Sequence, residues 1–76
     1  MNNTRRKELQ KVLDQLEEVK ERLEELTEAE EEALDNIPES MQDTDRYAET
    51  ERAAENLRAA VDSMDEVISG IEEAID

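Results

Sequence analysis

The chain has no cysteine, histidine, tryptophan or phenylalanine, and only one tyrosine, one proline and one glycine. Without cysteine or histidine it cannot build a disulfide, a thiolate or imidazole metal site, or a Ser-His or Cys-His nucleophile. No apolar run approaches the ~20 residues of a membrane span. None follows Met1-Asn2-Asn3 as the core of an export signal. Cations are scarce as well. Nine Lys and Arg stand against 24 Asp and Glu, for a net charge of −15 over 76 residues. That balance argues against binding to duplex nucleic acid or to an anionic membrane, where phosphate neutralisation needs surplus Lys and Arg. There is no Gly-rich loop to cradle phosphate and no Glu-x-x-His for a di-metal bundle. Asp43-Thr44-Asp45 opens like a calcium loop, but the sixth position is not Gly and the twelfth is Ala54. No cofactor and no enzymatic activity are expected.

High charge with low hydrophobicity is also a mark of disorder, but the order of the apolar residues opposes it. Leu9, Val12, Leu16, Val19, Leu23, Leu26, Ala33 and Ile37 follow alternating steps of three and four, the pattern of a packed helical seam. Leu13 and Leu34 widen the stripe on one flank, and Glu30 interrupts it. Glu17 with Lys20 and Glu18 with Arg22 have the spacing of surface ion pairs. A second seam runs through Tyr47, Thr50, Ala54, Leu57, Val61, Met64, Ile68, Ile71 and Ile75, with Ala53, Ala60, Val67 and Ala74 along its flank. Between the two, Pro38 ends the first helix and Asp43 or Thr44 caps the second.

The expected fold is therefore all-α: a helix over about 4–35, a connector at 36–43 and a helix over about 44–75, folded back as an antiparallel hairpin. One small domain of this kind sits near zero in the balance of burial against chain entropy, so self-association into a larger bundle is expected. Leu57, Val61, Met64 and Ile68 are the expected oligomer seam. The hairpin also sets Arg5, Arg6 and Lys7 beside Glu72, Glu73 and Asp76.

Two candidate binding surfaces follow from the charges. From Glu24 to Asp45 there are ten acidic residues and no basic one, gathered at the connector end of the rod. Glu28, Glu31, Glu32 and Asp35 are its centre, and such a cluster suits a basic protein surface. Arg46 and Tyr47 at the start of the second helix, with Arg52 and with Arg5 or Arg6 from another copy, are the residues able to stack and neutralise a small anionic nucleotide.

The connector Asp35-Asn36-Ile37-Pro38-Glu39-Ser40-Met41-Gln42, then Arg46-Tyr47 with Glu51 and Ala54, resembles short acidic helical proteins encoded by bacteriophages and integrated elements of Gram-positive bacteria. So does the opening Arg5-Arg6-Lys7-Glu8 before the Leu/Val heptads. The family carries no established activity, so the resemblance transfers no functional residues. It implies a setting: the cytoplasm of a bacterial host, where small phage proteins often bind and neutralise a defence component. The expected function is thus a non-enzymatic, self-associating binder acting as an acidic decoy for a basic host protein. Its alternatives are a sponge for an anionic nucleotide messenger and a purely structural oligomerisation module.

Overall fold

Two long helices and one short turn make up the whole chain. The computed structural model describes residues 1–76: α1 spans Asn3–Asp35, a single 3-10 turn covers Glu39–Met41, and α2 spans Asp45–Ile75. Each helix begins where a side chain takes up a free backbone donor. Asn2 accepts from the Arg5 amide at 2.8 Å, and Thr44 accepts from the Tyr47 amide at 3.3 Å. Of the two expected caps for the second helix, Thr44 is the one used, and Asp45 stands in its first turn as the dipole favours. Pro38, extended at φ −60° and ψ 149°, prevents α1 from continuing. The Thr44 hydroxyl also donates to the Met41 carbonyl at 2.7 Å, tying the connector to the start of α2.

The helices pack antiparallel as the expected hairpin, in a rod 59 × 15 × 14 Å. The seam of α2 is the expected one, with Ala54, Val61 and Ile68 buried and Leu57, Met64, Ile71 and Ile75 half-buried. Val61 and Ile68 are thus consumed inside a single hairpin. Leu57 and Met64 lie half-buried at its margin, so these four residues are not a free oligomer seam.

In α1 the seam differs from its sequence reading. Leu9, Leu16, Leu23 and Glu30 border α2 as expected, as does Ile37 just beyond the helix end, each half-buried. The other half of the pattern is moved on by one residue. Leu13 and Thr27 are buried and Lys20 and Leu34 half-buried, while Val12, Val19 and Leu26 are 40%, 54% and 56% exposed. The hairpin accepts these more polar positions because each polar group is satisfied. The Thr27 hydroxyl, with no exposed surface, donates to the Leu23 carbonyl at 2.7 Å. Lys20 sends its ammonium out to carboxylates at the rim.

Gly70 lies within α2 with nothing within 4 Å of where a Cβ would stand. Gly70→Ala should therefore raise stability by roughly 1 kcal/mol through helix propensity alone, read as a higher thermal midpoint.

Candidate functional site

The two sides of the rod differ in chemistry. Side-chain bridges between the helices fix which side is which. Arg58 grips Glu31 with two bonds, Nε to Oε2 at 3.1 Å and Nη2 to Oε1 at 2.6 Å. Lys20 reaches Asp65 across the seam and Glu24 at 3.6 Å along its own helix. Lys20 and Arg58 are thus drawn into these bridges, and the pairs expected between Glu17 and Lys20 and between Glu18 and Arg22 do not form. A long side chain in the seam meets the carboxylate across it more readily than one on the outer face.

The bridges define an acidic side that runs the whole length of the molecule. Shallow grooves open along it, edged by Asp14, Glu17 and Glu72 toward the termini. Glu21, Glu24 and Asp65 edge the middle. Glu31, Asp35, Glu51, Glu55 and Asp62 edge the connector half. Of the residues singled out from sequence, Glu31 and Asp35 border the groove. Glu28 stands close enough to add to the field at Arg58, and Glu32 is exposed on the outer face of α1. The acidic surface is therefore not confined to the connector end. Sequence reading missed the share of α2, although Glu51, Glu55 and Asp62 recur at the four- and seven-residue spacings of a single helix face.

Electrostatics at the bridges follow their geometry. The hydrogen bonds from Arg58 hold the Glu31 carboxyl below its ordinary value of 4.5, and the same bonds hold Arg58 above its own. The hydrogen bond to Asp65 raises Lys20 above 10.5. Because the Glu31 carboxyl is lowered on folding, its contribution to stability is present above pH 4.5 and lost as pH falls through the folded value. As pH falls below 4.5, the destabilising effect of Glu31→Gln relative to the parent chain should accordingly shrink step by step, as measured by thermal midpoints of both chains at pH 7 and at successively lower pH. That decline is expected even though protonation of the other carboxylates relieves the self-repulsion of the whole rod.

The opposite flank of each helix meets on the other side of the rod. On α1 it carries Val12, Val19, Leu26 and Ala33, and on α2 Ala53, Ala60, Val67 and Ala74, each set spaced by seven. The residues three further along the same face, Gln15, Arg22 and Ala29 on α1 and Asn56, Ser63 and Gly70 on α2, include no carboxylate. In a chain with 24 acidic residues, this side carries an apolar row on each helix and no negative charge over its middle length.

The candidate nucleotide residues are not brought together within one chain. Arg5 and Arg6 stand at the terminal end of the rod, Arg46 and Tyr47 at the connector end. Arg52, six residues beyond Arg46, points about 120° away around the helix. Tyr47 is half-buried in the seam and its amide is already used by the Thr44 cap. Nor do the three N-terminal cations pair with Glu72, Glu73 and Asp76 as expected. Arg6 instead donates to the Ile75 carbonyl at 3.2 Å and to the Asn3 side chain at 3.3 Å, capping the free carbonyl end of α2. Arg5 and Lys7 have no ion-pair partner within the chain.

Compared with protein-family models, curated proteins and solved structures, the chain matches none of them. Its chemistry has to be read from the two sides themselves.

Proposed function

We propose that this protein is a non-enzymatic, self-associating binder that captures a basic protein surface on its acidic side. The observation that carries this reading is the segregation of charge. Carboxylates from both helices line one side from end to end, and the few cations there are tied into bridges. A rigid rod with a one-sided row of carboxylates presents negative charge at fixed spacing. Such a surface speeds encounter with a basic partner and holds its register. The resemblance to phage-encoded proteins supports a counter-defence role, the captured component being a basic protein of the bacterial host.

The test is recovery of tagged protein from a bacterial host lysate, comparing the parent chain with a variant carrying Glu28→Lys, Glu32→Lys and Asp35→Lys. Glu31 stays, because reversing it would set like charges on Arg58. The parent chain should retain a basic protein, released by moderate salt, and the triple variant should not. Equal retention by the triple variant at unchanged helicity would remove the acidic-decoy reading.

A further inference from the structure

The hairpin turns the less apolar half of the α1 stripe inward. Leu13, Lys20, Thr27 and Leu34 face α2, while Val12, Val19, Leu26 and Ala33, each one residue earlier, face out. A chain optimised for the hairpin alone would bury the second set. Leaving it outside has a use only if something else covers it. Total exposure agrees. A globular protein of this 8.8 kDa mass exposes about 4,800 Å², whereas this chain exposes 5902 Å² and buries only five residues.

We propose that a second copy of this chain covers this face, the two rods running antiparallel to form a four-helix bundle. The inference rests on the reading of the protein as self-associating and specifies the surface, the partner and its orientation. Three observations select them. The first is area. A rod 59 × 15 Å presents a side of roughly 900 Å², close to the ~800 Å² each partner contributes to a standard interface.

The second is the placement of the larger side chains. Val19 on α1 lies near the middle of the rod and level with Val67 on α2. Val12 and Leu26 lie one seven-residue repeat to either side. A twofold axis at Val19 therefore sets Val12 of each copy against Leu26 of the other, and Val19 against itself. The third is charge. The terminal end sets Arg5, Arg6, Lys7 and Lys11 against Glu8, Glu72, Glu73 and Asp76 and is close to neutral, whereas the connector end carries the ten carboxylates from Glu24 to Asp45. Antiparallel rods put each cation-bearing terminal end on the acidic connector end of the other copy. Arg5, which lies on this flank seven residues before Val12 and has no ion pair of its own, comes level with Ala33 of the second copy, next to the exposed Glu32. Parallel rods would stack acid on acid.

The absence of cysteine makes the test direct. Single-cysteine chains Val19→Cys and, as a control on the acidic side, Glu17→Cys are treated with a mild oxidant or a short bismaleimide, and helicity and sedimentation mass are followed in parallel. Val19→Cys should link to itself nearly completely and Glu17→Cys should not. Val19→Glu should weaken the dimer by about a hundredfold. Linking of Val19→Cys only when mixed with Val67→Cys would overturn the antiparallel arrangement. A parent chain that is dimeric while Val19→Cys links no better than Glu17→Cys would overturn the chosen face but leave self-association standing. A monomeric parent chain would overturn both.

Discussion

Val61→Asp is expected to abolish the helical circular-dichroism signal at every protein concentration. Val61 is 3% exposed and lies in the seam between Ala54 and Ile68, both buried. A carboxylate there is buried, and the cation one turn away, Arg58, is already bonded to Glu31, so whether the carboxylate stays charged or takes up a proton, it costs on the order of 3–5 kcal/mol. A two-helix unit has little margin against such a loss, because apolar burial and chain entropy nearly cancel at this size. Val67→Asp, six residues further along the same helix and 51% exposed, provides the contrast. Its carboxylate disturbs the outer apolar face rather than the hairpin seam. Helicity should then be lost on dilution and recovered at high concentration. If Val61→Asp remains fully helical, the seam assigned to α2 is wrong.

Charge reversal on the connector half of α1 should have the second large effect. Glu28→Lys, Glu32→Lys and Asp35→Lys together change the net charge by +6, from −15 to −9. The change falls on the connector half, where Glu51, Glu55 and Asp62 of α2 add to the same field. The proposed capture of a basic protein depends on that field, so association should slow by one to several powers of ten at low salt, roughly 10–10³-fold, and the difference should shrink as salt is added. Surface plasmon resonance at two ionic strengths with the retained host protein reads both effects. A rate independent of salt in the parent chain would mean that contacts other than the carboxylates carry recognition.

The fold was legible because the apolar spacing and Pro38 leave few alternatives. The steps of three and four from Tyr47 to Ile75 give the α2 seam as it stands, and Thr44 was one of two marked caps. The α1 seam was only half legible. Val12 and Leu13, or Leu26 and Thr27, are neighbours in the chain, and one residue of helix rotation exchanges them. Hydropathy favours Val12 and Leu26 for the inside. The partner helix instead takes Leu13 and Thr27, with Thr27 satisfied by the Leu23 carbonyl and Lys20 bridged to Asp65, pairings a periodic pattern does not contain. The acidic surface was half legible for a related reason. A run of carboxylates in one helix is visible along the chain, whereas the part supplied by α2 appears only when the hairpin brings Glu51 and Asp62 beside Asp35.

The exposed Val12–Val19–Leu26 stripe links these observations, because in the proposed dimer it assigns one side of the rod to assembly and leaves the other to the partner. Sedimentation equilibrium of the unmodified chain over the micromolar range, with helicity recorded on the same samples, tests that division most directly. A mass of twice 8.8 kDa, with helicity and mass falling together on dilution, is the expected result. A fully helical species of 8.8 kDa across the whole range would contradict it.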